Sequence, residues 1–312
     1  VLYCALDQVF SEQLVREFEA ETGLTVRAEF DVEAQKTVGL VRRIREEAAR
    51  PRCDVFWNNE IAHTVSLAED GLLASYEAPG AEGIPARFRD PQGRWTGFAA
   101  RARVLIVNTE LADPAEIGSF DDLLDARWAG KVCMARPLTG TTLTHVTALY
   151  SAWGEERTRA WLERATAEDS PLSFVQSNGQ VMRLVSEGQM AWGLTDTDDL
   201  NVAIQKGAPV VGVFPDQGEG ASGTLVIPNT VAILADAPHP EAARRLVDFI
   251  LSREVEAKLA ASDSAQMPVR DDVERPAHVA SAAALTVMPV DWAEVGRQIE
   301  ARAAELGEVF LR

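Results

Sequence analysis

Apolar positions in the first third of the chain switch period several times. Residues 1–6 form a nearly continuous apolar run of strand length. Residues 11–22 carry Leu14, Val15 and Phe18 at helical spacing, with Gly23 placed as a C-cap. Alternation returns over 24–30. Residues 33–50 then set Val38, Val41 and Ile44 on one helical face and stop ahead of Pro51. A third strand is predicted at 53–57 and a third helix at 61–69, closed by Gly71. This β-α-β-α-β order with short links predicts a parallel sheet with helices on both faces.

Residues 72–100 are richer in Pro and Gly and read as surface connection. Strands are predicted at 103–108, 131–134, 190–194 and 209–214, with helices at 120–124, 141–153, 155–165, 181–186 and 200–206. A long strand-rich stretch covers 224–234, a helix 240–251, and 291–310 is largely helical. No internal repeat is visible. Two extended stretches, around 101–108 and 224–234, flank the middle block. The simplest topology has the chain leave one α/β unit, build a second, and return. The expectation is therefore a two-lobed α/β fold, each lobe a mostly parallel sheet flanked by helices. Lobe 1 comprises 1–104 and 226–312, lobe 2 comprises 105–225, and the hinge lies near 101–108 and 222–232, with a ligand cleft between the lobes.

Composition narrows the function. At 312 residues two domains are expected, and 46% hydrophobic against 25% charged residues supports a sizeable core. The 48 acidic and 30 basic residues give a formal net charge of −18, which argues against nucleic acid or an anionic membrane as main partner. Cys4, Cys53 and Cys133 are far apart, without zinc-type spacing, and read as buried thiols in strands. No apolar run reaches the roughly 18–20 residues of a membrane span. The chain opens on a strand without an initiator Met, as a mature or trimmed chain would, which leaves room for a removed export signal.

Five segments together resemble one family. They are Leu2-Tyr3-Cys4-Ala5-Leu6-Asp7-Gln8, Asp54-Val55-Phe56-Trp57-Asn58-Asn59-Glu60, Gly97-Phe98-Ala99-Ala100-Arg101-Ala102-Arg103-Val104, Pro137-Leu138-Thr139-Gly140-Thr141-Thr142 and Asp263-Ser264-Ala265-Gln266-Met267-Pro268. In order and spacing they resemble the extracytoplasmic solute-binding proteins of ABC importers, in the branch of periplasmic ferric-iron-binding proteins. The resemblance implies two α/β lobes of the periplasmic-binding-protein (type II) fold, joined by two crossing strands and closing on a ligand. It implies export, to the periplasm or an extracellular membrane-associated position, docking on permease subunits, and no chemistry on the ligand. Ferric-binding members often carry adjacent tyrosines after a strand of the second lobe. Here that place reads Leu194-Thr195-Asp196-Thr197-Asp198-Asp199, and the three tyrosines are Tyr3, Tyr76 and Tyr150. Where some members have a His after the first strand, Asp7 stands nearby, and the acidic position after the third strand is kept as Glu60.

Four loops, each following a strand, are expected in the cleft. They carry Asp7 and Gln8; Asn58, Asn59 and Glu60; Thr139, Gly140, Thr141 and Thr142; and Asp196, Thr197, Asp198 and Asp199. Carboxylates converging on one dry cleft repel one another until a cation neutralises them. Oxygen donors suit a hard cation, so Asp7, Glu60, Asp196 and Asp198 are the candidate metal ligands. The alternative is that Asp196 and Asp198 cap the next helix, with Asp199 in its first turn. A helix N-terminus at Thr139–Thr142 can hold an anion, with the hydroxyls as added donors. The family implies an anion there completing the metal's shell, with Asn178 helping to hold it. Arg101 either forks onto a ligand carboxylate or phosphate or bridges to an acidic residue across the hinge. Only one face of its strand points into the cleft, so Arg101 and Arg103 are expected to differ in role. Trp57 and Trp192 either wall the cleft or belong to the core, and His63 either backs Glu60 or sits on a half-exposed helix face.

The reading is a monomeric binding protein whose cargo is a metal cation with a synergistic anion, ferric iron being the family's usual cargo. The alternative cargo is a zwitterionic or cationic organic molecule, its amine on the aspartates and its acid group at Thr139–Thr142. No catalytic cofactor is expected. An enzyme on the same fold is the rival class, but no GxSxG, Walker A or strand-following GxGxxG motif is present.

Overall fold

The computed structural model of the protein describes residues 1–6, 8–30 and 38–311. The chain begins with β1 (Leu2–Cys4), α1 (Gln8–Thr22), β2 (Ala28–Phe30), α2 (Val38–Glu46), β3 (Val55–Asn58), α3 (Ala62–Glu69) and the two-residue β4 (Leu73–Ala74). β1 pairs in parallel with both β2 and β3, as the sequence order requires. The first predicted α/β unit is present, although β2 is shorter than its apolar pattern and α2 ends at Glu46 rather than at 50; residues 33–37 of the predicted helix lie outside the described residues.

β5 (Thr96–Asn108) is a 13-residue strand, buried at every position but Arg101. The sequence reading placed 96–100 in a surface connection; the connection ends sooner, because the small residues Gly97, Ala99 and Ala100 fit between packed neighbours. There follow β6 (Val132–Ala135), α4 (Gly140–Trp153), α5 (Glu155–Ala165), β7 (Leu172–Val175), α6 (Asn178–Ser186), β8 (Trp192–Asp196), α7 (Thr197–Gln205) and β9 (Val210–Val213). β6 pairs in parallel with β7 and β8. The chain returns through β10 (Val226–Leu234) and ends with α8 (Pro240–Ile250), α9 (Arg253–Ala261) and α10 (Trp292–Phe310).

The strands run β2-β1-β3-β10-β5-β8-β6-β7, with β4 on β10 and β9 on β5. β5 changes partner midway. Its residues up to Ala102 pair antiparallel with β10, and from Arg103 onward with β8 and β9. The β5–β10 register shifts at Pro228/Asn229, beside Ala99, whose φ is +38°. Asn229 donates to the Ala99 carbonyl there, and Glu256 accepts from the Ala99 amide at 2.9 Å. Glu256 is itself fully buried against Arg270, at 2.6 Å. The two extended crossings of the sequence reading are thus β5 and β10, and the fold is two-lobed α/β.

α10 packs on α3 and on α4, and so touches helices of both halves. Gly296 makes the first contact: a Cβ there would lie 2.7 Å from Val65 Cγ1 and 2.9 Å from the Ser66 amide. Cys4, Cys53 and Cys133 are all buried. Among the described residues no helix is long and apolar enough to cross a membrane.

Candidate functional site

A cavity of about 790 Å³ opens where the ends of β3, β6 and β8 and the middle of β5 meet the N-termini of α4, α6 and α7. Loops beyond strand ends are where open α/β sheets place ligands. Its walls include Arg42, Asn59, Glu60, His63 and Arg101 from one half, and Arg136, Thr139–Thr144, Asn178, Asp196, Asp198 and Asp199 from the other.

The centre follows from strand register. In the β5–β8 ladder Arg103 lies directly opposite Asp196. Their side chains form an ion pair of 2.5 Å, with the guanidinium fully buried. Thr141 Oγ1 donates to Asp196 Oδ2 at 2.5 Å, and Asn178 Nδ2 donates to the same oxygen at 2.9 Å. Thr142 Oγ1 donates to Asn178 Oδ1 at 3.0 Å, while Arg103 reaches Thr141 at 3.1 Å and Thr142 at 3.3 Å. Four elements, β5, β8, α4 and α6, are knitted by this one network.

Three expectations change here. Asp196 stands at the N-cap position of α7 but makes no side-chain cap. It is also not an open metal ligand, because Arg103 already neutralises it. The Thr141 and Thr142 hydroxyl protons are spent on Asp196 and Asn178, so they add no donors toward an anion. The donors left at that turn are backbone: the Thr139 side chain makes no cap, leaving the first amides of α4 open. Arg101 and Arg103 share a strand face yet differ in place: Arg101 lines the cavity, while Arg103 is fully buried behind it. Residues two apart share a strand face, and Arg101 Nη1 lies 3.5 Å from Asp198 Oδ2, one step further along the same acidic row.

Asp196, Asp198 and Asp199 bring carboxylate oxygens within 4.8 Å of one another. Burial, and then repulsion from its acidic neighbours, raises Asp199 to about 7; a Thr195 hydroxyl donating at 2.7 Å works against this. Burial also raises Asp198, against the pull of Arg101. Asp198 Oδ1 is buried without a hydrogen-bond partner. Both residues sit in the first turn of α7, where the helix dipole favours negative charge.

Glu60 is 2% exposed and turned inward. It accepts from the amides of Ala62 at 2.9 Å and His63 at 3.1 Å, from Asn58 at 3.2 Å, and from Thr144 Oγ1 at 3.0 Å. It therefore opens α3 and ties it to α4, rather than standing clear as a metal ligand. Asn58 is fully buried and supports Glu60 from behind. Gln8 does not reach the cavity: it is exposed on α1 and bonds Glu12 at 3.2 Å. Thr197 Oγ1 accepts from the Ala102 amide at 3.2 Å, pinning α7 to β5. Asp7 lies outside the described residues. Trp57 and Trp192 belong to the core, Trp57 tilted against Phe98 and Trp192 edge-on to Trp128. His63 does line the cavity, with its Nδ1 buried and unpartnered.

The sequence reading passed over Arg42, Arg136 and Thr144 as wall residues. Thr144 could have been found, since it lies one helical turn from Gly140 and faces the same side. None of the three tyrosines lines the cavity: Tyr3 bonds Glu47, Tyr76 bonds Asp248, and Tyr150 lies under Arg302.

The chain matches the family model described as "Bacterial extracellular solute-binding protein" over residues 13–287. It is 29% identical to "Iron uptake protein A1" of Synechocystis sp., across 83% of this chain and 72% of that one. It is 28% identical to the "Putative 2-aminoethylphosphonate-binding periplasmic protein" of Salmonella typhi, across 82% of this chain and 73% of that one. Its fold superposes on iron-bound HitA from Pseudomonas aeruginosa with a TM-score of 0.84 and 26% identity, covering 98% of each chain.

Proposed function

We propose, from the premise that this chain belongs to the bacterial extracellular solute-binding proteins, that it is the exported ligand-capturing component of an ABC importer. Its two lobes, 1–104 with 226–312 and 105–225, close about β5 and β10 on a metal cation held with an anion. The partner change between Ala102 and Arg103 supports that hinge. A ligand touching both walls favours closure through contacts that only the closed form makes. The cargo is handed to permease subunits unchanged, and no step in this reading is catalytic.

The carrying observation is the meeting of the carboxylate trio with the uncapped start of α4 in one cavity. Asp198 and Asp199 are the cation's ligands in this reading, since Asp196 is held by Arg103. The open amides of α4 take the anion. The iron-named relatives in Synechocystis and Pseudomonas support a metal cargo. The test is metal analysis of the purified protein followed by calorimetric titration of ferric ion into chelator-treated protein. Asp198→Asn should weaken binding at least tenfold without lowering the melting temperature; unchanged affinity would move the site elsewhere.

A second reading, an amine-bearing acid as cargo, has its own support. With Asp196 paired to Arg103, Asp198 and Asp199 face Arg101 alone, and a bound ammonium group would favour the ionised form of both. The Salmonella typhi relative is named for such a compound. Micromolar binding of 2-aminoethylphosphonate to metal-free protein would establish it over the metal.

A further inference from the structure

The two crossing strands are not the only bridge between the halves of the molecule. α10 packs on α3 of lobe 1 and on α4 of lobe 2. Its buried residues Val295, Ile299 and Leu306 share one apolar cluster with Val65 of α3 and Leu149 of α4.

The two attachments of α10 differ in kind. On the lobe 1 side Gly296 lets the helix backbones approach so closely that a Cβ there would lie 2.7 Å from Val65 Cγ1 and 2.9 Å from the Ser66 amide. Glu300 adds an ion pair with Arg45. A close-packed contact of this kind has no slack for sliding. On the lobe 2 side the attachment is made by charges and rings. Arg302 lies over the Tyr150 ring, 3.7 Å from its centroid, and bonds Glu155 at 2.7 Å. Glu305 pairs with Arg159 at 2.5 Å, and the Phe310 ring meets Phe174 edge-on with centroids 4.7 Å apart. The Arg159 pair is half-exposed and holds weakly. Arg302 is only 13% exposed and Tyr150 is buried, so their contact is shielded from water and is the stronger of these links.

Tyr150 stands in the last turn of α4, and the first turn of that helix is cavity wall. The 14 residues of α4 make a rod of about 20 Å. Lobe 1 holds the rod near its start, where Thr144 donates to Glu60 at 3.0 Å. α10 holds its far end.

We propose that α10 is a strap between the lobes, fixed to α3 and releasable from lobe 2, and that Arg302 is the positioning residue that holds α4 by Tyr150. When the lobes part, the side made of charges and rings lets go and the close-packed side stays. The resting place of the turn that meets the cargo is thus set partly from outside the cavity. This inference rests on the two-lobed hinge reading and adds a third connection to it.

The experiment compares ligand-free full chain as wild type, Arg302→Met, Arg302→Lys, Tyr150→Leu and Tyr150→Phe, by small-angle scattering and amide hydrogen exchange, with melting curves as the folding control. Arg159 still answers Glu155 and Glu305, at 2.5 Å each, so Arg302→Met strands neither carboxylate. Arg302→Met and Tyr150→Leu should each enlarge the radius of gyration. Amides of residues 303–309 should exchange about tenfold faster in them, while those of 295–300 keep the wild-type rate. Arg302→Lys retains a cation over the ring and should keep most of the protection. Tyr150→Phe retains the ring, and the hydroxyl it loses has no hydrogen-bond partner among the described residues, so it should match wild type. Unchanged radius and exchange in folded Arg302→Met and Tyr150→Leu overturn the strap. Equal acceleration along the whole of α10 also overturns it, since that marks general destabilisation. Ferric ion supplied with bicarbonate then separates the two readings. A wild type that contracts on this probe while the ligand-free variants keep the wild-type radius overturns the strap alone. A wild type whose radius the probe leaves unchanged overturns the hinge reading on which the strap rests.

Discussion

Replacing Asp199 by Asn should make the ligand-free protein more stable, and by an amount that depends on pH. In the folded chain burial and two neighbouring aspartates hold Asp199 at about 7, against an ordinary value of 3.8. A folded value above the unfolded one means that ionising this group opposes folding. The penalty is absent below the unfolded value, grows as pH rises through the interval, and is complete above the folded value. A gap of about 3 in pKa at roughly 1.4 kcal/mol per unit gives about 4 kcal/mol at pH 8 and about 2 kcal/mol at pH 5. At about 2.1 cal/mol/K per residue over 312 residues, the unfolding entropy is about 0.66 kcal/mol/K. Asp199→Asn should then raise the melting temperature by about 6 °C at pH 8 and about 3 °C at pH 5. The Thr195 hydroxyl can still donate to the amide oxygen. Scanning calorimetry of chelator-treated protein at the two pH values measures this. A gain of the same size at both, or a lower melting temperature at pH 8, would refute the account of the acidic cluster. The same substitution should weaken cation capture, the usual exchange of stability for function at a strained site.

Breaking the buried ion pair should act in the opposite direction. Arg103→Met leaves Asp196 buried and uncompensated, at a cost of about 3–5 kcal/mol, or about 5–8 °C in melting temperature; Arg103→Met/Asp196→Leu should recover part of that loss, and a single variant within 1 °C of wild type would contradict the assigned pairing. Thr144→Val removes the hydroxyl that joins α4 to Glu60 at 3.0 Å. About 1–2 kcal/mol should go, and small-angle scattering of the ligand-free variant should give a larger radius of gyration than wild type. An unchanged radius would show that this bond does not restrain the lobes.

The alternation of strands and helices was readable from periodicity alone, because apolar runs of different period bury against one sheet. The two crossing strands were readable as long apolar stretches, but the start of β5 was not. Gly97, Ala99 and Ala100 look like connection residues, and only the packed neighbours reveal that small side chains are required there: a Cβ at Gly97 would lie 2.9 Å from the Phe88 carbonyl. The loops that line the cavity were also legible, since each follows a strand. What single residues do within them was not. Glu60 was visible as an acid beside a helix start, and whether its oxygens turn to the helix or to a ligand depends on Asn58 and Thr144, the latter 84 positions away.

Arg103 shows why local spacing cannot supply this. Its charge and its strand are local facts, but its partner is set by the antiparallel register of β5 against β8, which places Asp196 across from it. Once that pair forms, the aspartate that looked most like a metal ligand becomes a scaffold for Thr141 and Asn178, and the charge available to cargo falls from three carboxylates toward two. An ion pair buried this deeply is weak support for stability, since apolar replacements of similar volume often do as well. Its consequence here is positional: one side-chain network fixes the starts of α4, α6 and α7 relative to one another, and those three starts are the wall that a ligand meets.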